Sequence, residues 1–163
     1  MPLKLTPRDE QMLAGTHGEA VRMAMSILVK MAEIEGAEEL MDVTRAHIDG
    51  SVYMGESTME FAETFARLGG KVAIPTTMNI GSIEEHGWQK WPVPGEFAEK
   101  AGRTMQAYIQ MGCAAIWTCA PYQAGDRPNF GEQIAWAESN AIVFANSVLG
   151  ARTNRYGDYI DLC

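Results

Sequence analysis

Met111-Gly112-Cys113-Ala114-Ala115-Ile116-Trp117-Thr118-Cys119-Ala120-Pro121-Tyr122 reads as a helix stop, a buried strand and a turn at the strand's carboxyl end. In an open α/β sheet, ligands bind in the crevice beyond the carboxyl ends of the strands. Cys119 falls at that end and is placed for chemistry. Cys113 follows Gly112 at the strand's entry, where a free cysteine packs as a small hydrophobe. Packing stays open as a reading of Cys119 too.

Working outward, a helix from about Glu96 to Met111 precedes this strand and turns Phe97, Ala101, Met105 and Tyr108 to one side. Before it lie a Trp- and Pro-rich flap, Trp88 to Pro94, and a polar loop, Thr76 to Ser82. Lys71 to Pro75 reads as a short strand. Ser57-Thr58-Met59-Glu60 reads as a capping box for a helix that carries Phe61, Phe65 and Leu68 inward and stops at Gly69-Gly70. Val43 to Tyr53 holds a strand running into a loop. At the amino end, Thr6 caps a helix with Pro7 at its first position. A second helix runs to about Ile34 and is ended by Gly36. Downstream, Gly125 to Pro128 leads into a long helix from about Gly131 to Leu149, with Ile134, Ala137, Ala141, Ala145 and Val148 on one face. The alternation of strands and helices predicts an α/β fold, a mostly parallel sheet with helical crossovers, and residues 1-163 are read as one domain or part of one.

Composition narrows the function. An apolar fraction of 47% is enough for a real core in a chain of 163 residues. A net charge of −8 lacks the basic stripe of a nucleic-acid binder, so no nucleic acid is expected as partner. No apolar run reaches the length of a membrane span, and the first residues lack a secretory pattern. Three cysteines without an export signal point to reduced thiols and a cytoplasmic protein. The eleven methionines read as core filling, with Met23, Met25 and Met31 inside one amphipathic run. The last residues, Tyr156 to Cys163, have the texture of a new element, which predicts that the polypeptide continues. Reading the DNA beyond Cys163 tests this; a stop codon there, with no neighbouring frame supplying more cysteines, refutes it.

Polar groups collect in four patches: Thr44 to Ser51, Thr76 to Ser82, Thr118 to Tyr122, and Gly131 to Gln133 with Glu138, Ser139 and Asn140. Three of these lie at predicted strand ends. Gly50 and Gly81 let backbone amides approach an anionic ligand, although neither belongs to a nucleotide fingerprint. His47 and Asp49 share a strand face, as an acid/base pair or as structural hydrogen-bonding groups. Glu138 sits beside the apolar face of the predicted long helix, where a carboxylate is costly unless paired, liganding or reaching water. Arg152 and Arg155 suit a helix's negative end or a substrate carboxylate. There is no His-Glu-x-x-His, no Cys-x-x-Cys and no nucleophile triad. Three cysteines fall short of, or barely reach, the three or four thiolates of a cysteine-held iron–sulfur cluster.

Ala46-His47-Ile48-Asp49-Gly50, Pro75 to Ser82, Gly112 to Tyr122 and Gly131 to Ala141, extended by Phe144 to Arg155, together resemble the aconitase X family. The resemblance covers nearly the whole chain and corresponds to the amino-terminal part of that family's large subunit or region. It implies an aconitase-like fold, here an incomplete piece of a larger protein. It also implies an iron–sulfur or iron-dependent hydro-lyase acting on a small hydroxy acid, such as cis-3-hydroxy-L-proline or mevalonate 5-phosphate. By position, Cys119 looks like the family's first cluster ligand, with its fellow ligands outside this chain. Gly50, Ser51, Asn79, Glu138 and Ser139 look like positions lining the substrate site, with Glu138 moving the proton. The partner implied is a small swivelling subunit or domain. The rival readings are a non-catalytic subunit or interaction fragment and a metal-free thiol enzyme using Cys119; a brown purified protein excludes the thiol enzyme.

Overall fold

The computed structural model describes residues 2–49, 55–79, 81, 83–84, 86–154 and 160–163. The chain opens with α1 (Pro7–Leu13), where the Thr6 hydroxyl accepts from the Asp9 amide and the Asp9 carboxylate accepts from the Thr6 amide. Next comes α2 (Glu19–Glu35), ended by Gly36 in the left-handed region. The expected boundaries hold for both helices. Beyond them run β1 (Ala46–Ile48), α3 (Glu56–Arg67), β2 (Thr76–Met78), α4 (Gly95–Gln110), β3 (Ala114–Ala115), β4 (Ala135–Trp136) and α5 (Ser139–Phe144). α5 passes into a π-helical turn, Ala145–Leu149, closed by Gly150.

The four strands are all parallel, in the order β3-β2-β1-β4. Successive strand side chains point to opposite faces. Ala46, Ile48 and Met78 turn to one face, where Ile48 and Met78 pack with Ala62 and Phe65 of α3 and with Met105, Tyr108 and Met111. His47 and Trp136 turn to the other face, and Trp136 packs with Ile134, Ala141 and Ala145. The sheet is therefore covered by helices on both faces, with near-complete exclusion of water from Ile48, Met78 and Trp136. After β1 the chain moves to β2 and β3, then returns to place β4 on the other side of β1. That reversal puts the topological switch between β1 and β4, where an open sheet forms its crevice.

Four expectations are corrected. The buried strand expected after Gly112 is only Ala114–Ala115, with Ala114 exposed and Ala115 half-buried, because the backbone leaves the extended form at Trp117. Lys71 to Pro75 forms no strand; the strand is Thr76–Met78, inside the supposed polar loop. Its hydroxyls are satisfied within the protein, Thr76 donating to the Ile74 carbonyl at 3.0 Å and Thr77 meeting His47 and Asp126. The capping box at Ser57 does not form, because α3 already starts at Glu56 with Gly55 as its cap. The Thr58 hydroxyl donates back to the Gly55 carbonyl at 2.8 Å. The long helix from Gly131 is interrupted by β4. Pairing with β1 (Ala46↔Ala135, His47↔Trp136) overrides the helical spacing, and Val148 is left 65% exposed, off the buried face assigned to it.

A polar chain anchors the entry of β1. Arg45 bonds Asp126 at 2.7 Å and Glu132 at 2.9 Å, and Glu132 also accepts from the Thr44 hydroxyl and the Asn129 amide. The Thr44 hydroxyl, then the Asn129 amide and Arg45, draw the Glu132 carboxyl down to about 2 against the opposing effect of burial. Asp126 also accepts from the Thr77 hydroxyl at 3.2 Å, and Thr77 meets His47 Nδ1 at 2.9 Å. Burial lowers His47 to about 4, against the opposing charges of Asp49 and Asp126. The folded protein thus keeps His47 neutral where the unfolded chain protonates it. Stability should fall as pH drops below 6.5 toward about 4, and this one group accounts for up to ~3 kcal/mol of the loss. Urea unfolding between those pH values should show a shallower acid limb in His47→Gln than in the wild type; parallel limbs would contradict it.

Candidate functional site

Each strand of the sheet delivers a polar residue just past its carboxyl end. Asp49 follows β1, Asn79 follows β2, Cys119 lies beyond β3, and Glu138 follows β4. Ladder bonds hold them level: the Asn79 amide donates to the Ile48 carbonyl at 3.3 Å, and the Ala137 amide to the His47 carbonyl at 3.2 Å. Asn79 is the hub. It is buried, and its Nδ2 donates to Glu138 Oε2 at 2.8 Å and lies 3.5 Å from Cys119 Sγ. Glu138 occupies the cap position of α5 but does not cap it; the carboxylate turns to Asn79 instead.

The turn that carries Cys119 is built by local conflict with the sheet. The Ile116 amide extends the β2–β3 ladder by donating to the Met78 carbonyl at 3.0 Å. Trp117 then takes a φ of +48°, the one non-glycine residue in the left-handed region among the described residues, and the strand ends. Its ring lies over Gly81, where a Cβ would come within 3.1 Å of the indole. The Thr118 hydroxyl accepts from the Ala120 amide at 3.1 Å, and Asn140 Nδ2 donates to the Cys119 carbonyl at 2.7 Å. The second bond ties the turn to the first turn of α5.

Electrostatically, the site is a pair of carboxyl groups beside a thiol. Burial raises Glu138 above the usual carboxylate range, and the charge of Asp49 and a hydrogen bond with it act in the same direction. The Asn79 amide and Cys119 oppose them. Burial also raises the Cys119 thiol, helped by the neighbouring Glu138 charge. A raised thiol is a poor free nucleophile, so these surroundings argue against the metal-free thiol enzyme. Cys119 is nevertheless exposed, whereas Cys113 is buried and pushed up to about 12, and half-buried Cys163 rises equally through burial and Asp161.

This donor set can be tested against an iron–sulfur centre. Among the described residues, no group of three or more His, Cys, Asp and Glu side chains is arranged to hold a metal ion. A single accessible thiol at the crevice fits one ligand of a shared centre, and not a self-contained site. A cationic centre would also favour the thiolate that the carboxylates disfavour.

Of the residues expected from sequence, Asn79, Cys119 and Glu138 come together, and exposed Ser139 begins α5 beside them. Gly50, Ser51 and Arg155 lie outside the described residues. Arg152 is exposed, with its backbone bridged to Gln133. Sequence reading missed the pairing of Asp49 with Glu138, having matched Asp49 to His47. The available signal was that Asp49 ends the same strand whose neighbour delivers Glu138. The ion network around Arg45 is not among the expectations either, because the loop position of Asp126 does not show that it reaches Arg45.

Comparison with known proteins identifies relatives of this chain and of its fold. A family model described as the aconitase X first domain matches residues 2–163. The cis-3-hydroxy-L-proline dehydratase of Pseudomonas aeruginosa is 49% identical over 160 residues, covering 98% of this chain and 28% of that protein. The phosphomevalonate dehydratase large subunit of Methanocaldococcus jannaschii is 40% identical, covering 94% of this chain and 38% of that protein. The crystal structure of Thermococcus kodakaraensis aconitase X in its holo-form superposes with a TM-score of 0.87 at 40% identity, covering 98% of this chain and 40% of that one. The chain thus spans less than half the length of these relatives. Among the described residues, no helix is long and apolar enough to cross a membrane. A family model that matches nearly every residue, together with a parallel sheet that superposes on a solved aconitase X, shows that this chain belongs to the aconitase X family.

Proposed function

We propose that this chain forms one wall of the active site of a hydro-lyase that removes water from a small hydroxy acid. The substrate class is that named for its relatives, cis-3-hydroxy-L-proline or phosphomevalonate. The observation that carries the reading is the convergence of Cys119, Asn79 and Glu138 at the strand ends. Eliminating water from a β-hydroxy acid needs a base for the proton next to the carboxylate and an acid for the departing hydroxyl. An iron–sulfur centre, when bound, supplies Lewis acidity at that hydroxyl. Cys119 would provide its one ligand from this chain, the others coming from residues outside it. Glu138 takes the proton, with Asn79 fixing its orientation and Asp49 facing it as a second carboxyl. Ser139, together with Gly50 and Ser51, lines the substrate. A small subunit or domain closes the crevice, in keeping with the relatives named as large subunits.

In the complete enzyme, Cys119→Ser should lose bound iron and visible absorbance, and Cys113→Ser should keep both. The reverse pattern would exchange the two assignments. Glu138→Gln should lower kcat by about 10²–10⁴-fold, the usual loss for a general acid or base, while iron content and the unfolding transition stay unchanged. Near-normal turnover in that variant would remove Glu138 from the reaction. A complete enzyme with neither iron nor dehydratase activity on either substrate would favour the non-catalytic reading.

A further inference from the structure

Below the row of Asp49, Asn79 and Glu138 lies a second row on the same sheet face. His47 is in register with Thr77 on one side and with Trp136 on the other. Residues two apart on a strand share a face and stand about 6.6 Å apart, so His47 sits directly under Asp49, and Trp136 under Glu138. His47 and Trp136 are both 0% exposed. Their rings meet nearly edge to face, with centroids 6.3 Å apart and planes at 72°. Two nitrogens in this layer, His47 Nε2 and Trp136 Nε1, are buried without a hydrogen-bond partner among the described residues.

The hydrogen-bond roles of both nitrogens can be assigned. The Thr77 hydroxyl has one hydrogen, and the acceptors within reach are Asp126 Oδ2 at 3.2 Å and the Ala46 carbonyl at 3.5 Å. Neither can donate, so Thr77 spends its hydrogen there and accepts from His47 Nδ1. The imidazole is neutral, because burial opposes its protonation. His47 Nε2 is therefore a lone-pair acceptor, and Trp136 Nε1 is a donor only. The two are complementary yet do not bond each other. Leaving both unsatisfied in a packed interior is costly, and buried polar pairs of this kind are commonly joined by one ordered water.

We infer that one resident water is held between the two rows, accepting a hydrogen bond from Trp136 Nε1 and donating one to His47 Nε2. The water continues the hydrogen-bonded chain Arg45–Asp126–Thr77–His47 from the entry of β1 as far as Trp136. It lies beneath the crevice, so it is distinct from any water released by the reaction proposed above, and the inference stands whether or not that reaction is correct.

The test is a crystal structure of the complete enzyme, at a resolution that shows ordered water, for the wild type and Trp136→Phe. The expected result is a density peak within hydrogen-bond distance of both nitrogens in the wild type, lost or displaced in the variant. Nitrogen NMR of histidine-labelled enzyme supplies a second readout, with His47 assigned by the signal that vanishes in His47→Gln. It should show Nδ1 protonated and Nε2 bare near neutral pH. A dry gap in wild-type density, a direct contact between the two nitrogens, or a protonated Nε2 would each overturn the inference. Should Trp136→Phe fail to fold, the wild-type density and the His47 signal decide it alone.

Discussion

The pairing of β1 between β2 and β4 is the constraint on which the rest depends. β1 has only three residues in the ladder, yet it fixes the level of both neighbours through parallel registers on its two sides. A shift of one residue in either pairing would swap Ile48 with His47 between the core and the opposite face, because strand side chains alternate. It would also lift Glu138 or Asn79 out of line with Asp49. The site is precise to the extent that these short registers are.

The two ends of so short a strand carry unlike chemistry. At the entry, Arg45 meets Asp126 and Glu132, part-buried charges of opposite sign. At the exit, Asp49, Glu138 and the Cys119 thiol gather groups that would all carry negative charge. The entry is electrostatically satisfied and stabilises the fold. The exit is frustrated, which is the usual state of a functional crevice. Between them, Ile48 on one face of the sheet and Trp136 on the other are fully buried.

Much of this organisation was legible in sequence. The first helices were readable because Thr6, Pro7, Asp9 and Gly36 act locally, through caps and backbone conformations that need no partner. A strand after Gly112 and a cysteine beyond it were readable because Gly112 and Pro121 punctuate the chain on either side, although β3 stops at Ala115, well before Cys119. What was hidden were elements decided by distant partners. Ala135 and Trp136 of β4, with Ala137 after them, have a spacing that also suits a helix, and only the edge of β1 selects the extended form. Thr76 and Thr77 look like loop residues until His47 and Asp126 are seen to satisfy Thr77. Within the candidate site, Asn79 and Cys119 were visible as polar groups at or near strand ends, but Glu138 reads in sequence as a helix residue, because β4 is hidden. Which carboxyl faces which depends on strand order, and a single sequence does not spell that out.

The return of the chain after α5 has one more consequence. The π-helical turn and left-handed Gly150 bring residues 151–153 back alongside β4. There the Ile134 amide donates to the Arg152 carbonyl, and the Arg152 amide to the Glu132 carbonyl. Asn146 clasps Thr153 from both sides with its amide, as a neighbouring strand would. The backbone leading into β4 therefore meets its own chain where an open edge would otherwise offer amides and carbonyls to an extended peptide. Just ahead of β4 the chain is thus paired by its own return segment, and within β4 the Trp136 amide donates to the Thr153 hydroxyl at 3.3 Å.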